Sequence, residues 1–598
     1  MEIMRINKGF LNGDQTVVSR VIVFSTGFLL LNLAFLAFFV FGYNYSIGLV
    51  LTWTLIILAF ALLVLSVAMK PSPRPAKKLD DKNSGEKPDF HDKGKRSSQY
   101  FIPVVFSMAL FGIMYVLQGF IRFPGTDEIN IDYYAGYLVL HGINPYIATN
   151  MKGVFAFTGF PLYLTTPILT GGYVTSFGYP ALAAIIMIPA VAFNLQPASV
   201  PLLFSVGTFV LVYVSIGRRT SPGRTALIAV LAALILYYSY IAIGGGMDSI
   251  WVFFAIFSYI TRKNTVLSGV FFGLAIALKQ LPIILLPFFL LLVYMESGRR
   301  LRVPGKFIVA AFGAFIVPNL PFLIATPMDW LKGITSILTT PLMGVGFGPS
   351  ALSFMGYARI PPVFFTLLMI LIFLFLIAVY IIHFDRLKYA FLVFPVVILI
   401  FNFRVETDYL NVWPMLLLPA IAEIGISQSS INTVNEAHGV KTDGKRRPVH
   451  PNFRVVATIL LTVAVVASAA SAGSYLSAKQ PSSAPFTITS IVVNQTGQAP
   501  GEKFISSITV VVNYHPGNGS DQGIPALFAI YVHSNSSSIF SGVLYPLLWS
   551  SDFNITSGNN TVTIRPDFNY DLLPSKTSFE IMEYYGYNFA YLKSSGLP

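Results

Sequence analysis

The sequence has no cysteine. That removes disulfides, thiolate metal sites, iron–sulfur ligation and cysteine nucleophiles, and any extracellular part must fold without staples. Charge is nearly as scarce. Asp, Glu, Lys and Arg make up 11% of the 598 residues, against about 25% in an ordinary chain. A soluble globule needs more charge than this to cover its surface. A soluble enzyme, a coiled coil and a disordered scaffold are therefore excluded for the chain as a whole. No Walker or Rossmann glycine fingerprint occurs. The apolar runs are continuous over about 20 residues rather than alternating, which excludes a transmembrane barrel.

What is present is 55% hydrophobic residues and a mean hydropathy of +0.68. Apolar segments predict spans at 19–42, 47–69, 100–119, 199–217, 224–243, 246–261, 266–280, 281–296, 306–325, 360–383, 387–403, 408–426 and 454–477. The expected fold is a polytopic α-helical membrane protein of about 13 transmembrane helices. The first span is too long for a signal peptide, and no small-residue cleavage site follows it. The net charge is +13, but the basic residues cluster in short stretches between spans, as topology demands. No nucleic-acid partner is expected; membrane lipids are.

Lys and Arg in the loops set the orientation. Arg5, Lys8 and Arg20 place the N-terminus in the cytoplasm. The 70–99 linker, Arg218, Arg219 and Arg224, and the basic stretches at 299–306, 386–388 and 441–447 belong on the same side. Parity then requires one crossing between 179 and 217. The span is 199–217, with a helix at about 180–194 lying along the outer face. It also puts 120–198, 326–359 and everything after 477 outside. The 246–296 stretch holds three short apolar segments. Broken helices at membrane depth line a cavity or are buried in protein, so a functional cavity opening to the outer face is expected.

After residue 477 the composition changes to Ser, Thr, Asn and Tyr. Short β-rich runs at 486–494, 504–514, 525–533, 560–565 and 578–584 alternate with turn signals, which reads as an extracellular β-sandwich-like domain. Sequons stand at Asn494, Asn518, Asn535, Asn554 and Asn559 in that stretch, and at Asn44 in the first outer turn. The domains are 1–99, two extra helices and a basic cytoplasmic linker; 100–426, a catalytic transmembrane module; 427–477, a cytoplasmic loop and last span; and 478–598, the β-rich domain, either a passive surface module or a binder of an acceptor or cell-surface partner.

Chemistry-bearing residues gather in four places on the outer side. Asp127, Glu128 and Asp132 follow the third span, and Glu128 and Asp132 are four apart, on one helical face. Gly142 and Pro145 would end that helix, near His141. The alternative is a solvated loop with Asp127 as helix cap. Asp248 follows three glycines, and either caps a helix or belongs to a site where a ligand approaches the backbone. Lys279 interrupts apolar sequence at a cost of about 2.5–3.5 kcal/mol at a helix centre, which an anionic partner would offset; otherwise it snorkels. Arg404 could hold a phosphate or merely pair with Glu406.

These residues resemble a family. The pattern runs from Asp127-Glu128 through Tyr133-Tyr134-Ala135-Gly136 and Gly142-Ile143-Asn144-Pro145-Tyr146 to Phe177-Gly178-Tyr179-Pro180-Ala181-Leu182. It continues with Met247-Asp248-Ser249, Leu267-Ser268-Gly269, Gly273-Leu274-Ala275 and Leu278-Lys279-Gln280-Leu281-Pro282. It closes with Thr407-Asp408-Tyr409-Leu410, Pro414 and Leu416-Leu417-Leu418-Pro419. Over about 100–426 the chain is similar to GT-C-type glycosyltransferases that use a polyprenyl-phosphate sugar. Among them it resembles the GPI mannosyltransferase I catalytic subunit and prokaryotic polyprenol-phosphate-mannose-dependent transferases. Ala181 replaces a more usual proline, and the first-loop acidic pair is Asp127-Glu128 where the family often has Asp-x-Asp, which leaves open which carboxylate leads.

The resemblance implies a GT-C-type fold and transfer of a sugar, mannose first, from a polyprenyl-phosphate donor to a lipid- or protein-linked glycan or glycolipid acceptor at the outer face of the cell membrane. A carboxylate among Asp127, Glu128 and Asp132 deprotonates the acceptor. Lys279 and Arg404 face the leaving phosphate, with Asp248, Tyr409, His141 and Tyr179 binding substrate. No cofactor is required by the pattern, and a divalent cation is left open. A transporter, or a lipid-linked glycan flippase or polymerase, is the competing reading. A transporter should show an internal repeat and a midplane site, and neither is visible. A polymerase would lack the Asp127-Glu128 pair.

Overall fold

A computed structural model describes residues 11–40, 45–69, 98–121, 125–160, 165–166, 168, 173–216, 222–340, 342, 344–354, 360, 362–424, 486–499, 502–515, 524–532, 547–566, 573–574, 579–583 and 591–593. The linker at 70–97, the loop at 427–453, the span expected at 454–477 and the sequons at Asn44, Asn518 and Asn535 lie outside the described residues.

Seven described helices are long and apolar enough to cross a bilayer: Val17–Phe38, Gly48–Ala68, Pro103–Phe120, Ser199–Ile216, Gly223–Ile243, Arg302–Ala325 and Pro362–Ile382. The other expected spans among the described residues are shorter or broken. Asp248–Ile260 and Thr265–Leu278 have 13 and 14 residues. The segment at 281–296 opens as a 3-10 turn, Leu281–Leu285, before the helix Leu286–Glu296. The stretch expected to cross at 387–403 is split into a turn Ala390–Val393 and a helix Phe394–Leu399. At 408–426 a short helix Asp408–Asn411 is followed by a turn Trp413–Leu416 and helical backbone at 417–424. Pro282, Pro395 and Pro414 stand at the starts of these pieces, where a missing N–H costs least. The described residues therefore do not give 13 uniform spans. The expected outer-face helix at 180–194 is two short helices, Leu182–Ile185 and Ile188–Ala192.

The short helices run between two charged clusters at opposite ends of the bundle. Asp248 opens Asp248–Ile260, and Arg262 follows its end. Thr265–Leu278 runs back to Lys279, and the chain returns through Leu286–Glu296. At the Arg262 end, its Nε donates to Glu296 Oε2 at 2.9 Å and its guanidinium also donates to Glu423. Lys388 Nζ donates to Glu296 Oε1 at 2.8 Å, and the Tyr259 hydroxyl to Glu423 Oε2 at 2.9 Å. Four chain segments are thus tied at one end by ion pairs, which is how buried charges avoid an unpaired desolvation cost.

Small residues let two helices touch. A Cβ on Gly269 would lie 2.5 Å from Phe307 O, and one on Gly273 would lie 2.1 Å from Ala311 O. Glycines four apart give Thr265–Leu278 a flat face on which the Arg302–Ala325 backbone rests. The N-terminal pair Leu11–Val40 and Tyr45–Ala68 forms a hairpin. It is held by Arg20, whose buried guanidinium donates to Ser66 O at 2.8 Å and to Met69 O at the second helix's C-terminal end, where a cation is favoured.

The C-terminal residues form one eight-stranded sheet. In chain order its strands are Phe486–Ala499, Glu502–Tyr514, Ile524–Val532, Leu547–Ile555, Gly558–Pro566, Leu573–Pro574, Phe579–Glu583 and Tyr591–Lys593. The Leu547–Ile555 strand was missed in sequence because Ser550, Ser551 and Asp552 dilute its apolar alternation. Ile508, Val510 and Val512 from one half meet Phe528, Ile530, Trp549 and Ile581 from the other in a single core. The last strand lies against the first, so the sheet folds back on itself. Asn554 and Asn559 are exposed on it.

Candidate active site

Thr126 starts the site. Its hydroxyl accepts the Ile129 N–H at 3.3 Å, capping the helix Asp127–Leu140, and donates to Gly245 O at 3.0 Å. The cap expected of Asp127 is therefore made one residue earlier. Asp127 ties down backbone instead: Oδ1 accepts the Glu128 N–H at 2.9 Å, and Oδ2 accepts the Thr166 N–H at 2.8 Å. The helix ends at Leu140, and Gly142 follows with φ +71°, a conformation glycine adopts without strain.

Within the triple glycine, Gly245 serves a close approach of backbone to backbone. Gly245 has φ +94°, and a Cβ there would lie 2.6 Å from Thr126 N. What approaches it is the Gly125-Thr126 backbone, which locks the acidic helix onto the start of Asp248–Ile260. Asp248 is the first residue of its helix and Met247 holds the cap position. Asp248 Oδ1 accepts Trp251 Nε1–H at 2.6 Å and the Lys279 ammonium at 2.9 Å.

Lys279 leaves its helix in an extended conformation, φ −144° and ψ 141°. Its Nζ donates to Glu128 Oε1 at 2.8 Å, and the rings of Tyr179 and Tyr409 flank it at 5.7 and 6.0 Å. With 7% exposure it does not snorkel. Its anionic partners are two carboxylates of the protein, aided by the electron-rich ring faces.

Glu128 forms part of the wall of a cleft that is open to solvent. Asp127, Tyr179, Arg404, Glu406 and Tyr409 line the same cleft. Burial raises the Glu128 carboxyl above its ordinary range; Lys279 opposes this, and Asp248 and Asp127 add to it. Arg404 donates to Glu406 Oε1 at 2.9 Å. Asp132 lies one turn beyond Glu128, fully buried and outside the cleft lining. Burial, then the charge of Glu128, holds its carboxyl well above the usual range. Its Oδ1 has no hydrogen-bond partner among the described residues. His141 caps the far end of the same helix, exposed, with its ring tilted against that of Tyr137 at a centroid distance of 4.3 Å. Thirteen residues separate it from Glu128, about 20 Å along the axis, and it does not reach the cleft.

Tyr179 is held in place by the Gly142–Tyr146 motif. Asn144 Oδ1 accepts the Tyr146 N–H at 2.9 Å, and the Tyr146 hydroxyl donates to Tyr179 O at 2.8 Å. Sequence reading missed the amphipathic helix Pro327–Thr339, whose Ser336 and the following Thr340 line the cleft. Asn319 anchors it: its Oδ1 accepts Trp330 Nε1–H at 2.9 Å and the Ala181 N–H at 2.9 Å. A lone asparagine in an apolar helix was the available signal. Among the described residues no three His, Asp or Glu side chains group as metal ligands.

Residues 177–422 match the sequence model of glycosyltransferase family 87. No curated protein and no solved structure matches the chain. The matched stretch carries Tyr179, Asp248, Lys279, Arg404 and Tyr409. The acidic helix with Glu128, the N-terminal hairpin and the C-terminal sheet fall outside it.

Proposed function

Because the chain is a membrane glycosyltransferase, we propose that its donor is a sugar, mannose first, carried on a polyprenyl phosphate. Glu128 is the base that activates the acceptor, and Arg404 meets the donor's phosphate. The observation that carries this reading is that Glu128 and Arg404 line one cleft at the end of the bundle opposite the Arg262 network.

Glu128 is preferred to Asp127 because both Asp127 oxygens already accept backbone N–H groups. Burial also raises the Glu128 carboxyl above its ordinary range, which makes its carboxylate a stronger proton acceptor. Lys279 stands behind Glu128 rather than in the cleft lining, so it orients the base. Asp132 is a buried neighbour outside the cleft lining, where burial and the charge of Glu128 favour its protonated form. In the reaction the acceptor hydroxyl loses its proton to Glu128 and its oxygen bonds to the anomeric carbon. The bond from that carbon to the phosphate oxygen breaks, and the departing phosphate gains charge that the Arg404 guanidinium can bind at two oxygens. A donor already activated as a lipid phosphate suits a chain without a nucleotide fingerprint.

The acceptor is a lipid- or protein-linked glycan, and the Glu128 end faces outside the cell, as the loop charges require. The enzyme is of GT-C type, with the C-terminal sheet extracellular. Membranes holding the protein should transfer labelled mannose from polyprenyl-phosphate mannose to one of a panel of glycan acceptors. Transfer from a nucleotide sugar instead would overturn the donor assignment.

A further inference from the structure

We infer that the N-terminal helix hairpin, which lies outside the family match, positions Arg404 through Phe347. The contact runs in three steps. Trp53 Nε1–H donates to Phe347 O at 2.7 Å. Phe35 and Phe38 pack their rings on the Phe347 ring, with centroids 4.8 and 5.8 Å apart, and Phe347 is fully buried. Val345-Gly346, just before it, pairs in parallel with Arg404-Val405.

That pairing is unusually close. Gly346 has φ +97°, and a Cβ there would lie 1.7 Å from Val405 O. A Cβ on Gly348 would lie 2.3 Å from Ile400 O and 2.6 Å from Val405 Cγ2. Glycine at 346 and 348 therefore lets the loop press on the Arg404 turn, leaving little room for either to move alone. A two-residue strand pair does not hold its own register; the hairpin supplies the clamp from the other side. Arg404 then projects into the cleft from a fixed backbone, a positioning role for Trp53, Phe35, Phe38 and Phe347.

This inference rests on the reading of Arg404 as the phosphate contact, and the experiment separates the two. Trp53→Phe removes the N–H donor and keeps an aromatic ring; Phe347→Leu removes the ring contacts. Loss of one hydrogen bond corresponds to about a three- to tenfold change. With farnesyl-phosphate mannose as the probe, both variants should raise the donor KM by that factor and leave kcat nearly unchanged. In an Arg404→Ala background they should add nothing. Thr52→Val, which cuts a different hydrogen bond inside the hairpin, to Ala34 O, and touches neither the Trp53 donor nor the Phe347 ring, should leave donor KM at the wild-type value.

A second arm needs no donor. The chain has no cysteine, so Arg404→Cys gives a single thiol whose rate with a water-soluble methanethiosulfonate reads its exposure. Trp53→Phe and Phe347→Leu should change that rate by about the same factor, and Thr52→Val should not. Unchanged thiol rates, or changes equal to that from Thr52→Val, overturn the coupling. A wild-type donor KM in Arg404→Ala overturns the phosphate reading alone and leaves the coupling to the thiol rates.

Discussion

The Lys279 ammonium holds Glu128 from behind, donating to Oε1 at 2.8 Å while sharing itself with Asp248 at 2.9 Å. Breaking a buried pair by removing one partner costs about 3–5 kcal/mol. Lys279→Met should therefore lower thermal stability in detergent, and it should also move the pH profile. Lys279 works against the burial that raises the Glu128 carboxyl, so its loss lets that pKa climb further. A base must be ionised to act, so the acid limb of kcat/KM moves to higher pH in Lys279→Met and less in Lys279→Arg. An acid limb unmoved by Lys279→Met would detach Lys279 from the base.

Glu128→Gln should lower kcat by about 10²–10⁴, the usual effect of losing a general base. Asp127→Asn should behave differently. Its carboxylate secures the Glu128 and Thr166 N–H groups, so the change should soften the loop and cost about 1 kcal/mol, with most turnover retained. Single-turnover rates of the two variants in folded protein settle the order. Faster transfer by Glu128→Gln than by Asp127→Asn reverses the assignment.

Gly273→Ala should disrupt helix packing. Its Cβ would sit 2.1 Å from the Ala311 carbonyl oxygen, which is backbone and cannot swing away. Overpacking of this kind costs about 1–3 kcal/mol. Gly305→Ala, with nothing within 4 Å of its Cβ, is the matched control. Equal melting temperatures for the two variants would refute the close contact.

Orientation can be tested with single cysteines at exposed positions. Lys152→Cys should react with an impermeant maleimide in intact cells, and Lys263→Cys should react only after lysis. Labelling in the opposite order would invert the proposed topology.

Much of the helical frame was legible because continuous apolar runs of about 20 residues have one stable form in lipid. The broken segments were harder. Pro395 and Pro414 could be read as interruptions, but where the chain turns afterwards depends on tertiary contacts. At the site, the approach of Glu128, Asp248 and Lys279 was implied only by their common side of the membrane. Their pairing joins residues up to 151 positions apart, and no local pattern specifies it. The same holds for Asp127, one of whose two backbone bonds reaches Thr166, and for Gly245, which packs against the Gly125-Thr126 backbone. His141 looked close because it is near in sequence. The straight helix that carries Glu128 is what takes it away.

The helix Asp248–Ile260 and the turn that carries Arg262 bear on the depth of the site. Fourteen steps from Asp248 to Arg262 rise about 21 Å, whereas a bilayer's hydrocarbon core is about 30 Å thick. If the Arg262 network lies at one headgroup plane, the Lys279–Glu128 contact sits about 10 Å below the other. The transfer would then take place at the bottom of a well. For the donor proposed above, a prenyl chain is already at home at that depth, and its phosphate has only to follow. An acceptor must reach down from above, and only something slender can do so. On that reading the free end of a glycan would pass where a folded protein surface is stopped at the rim, and the depth of the well would gauge acceptors before any side chain touches them.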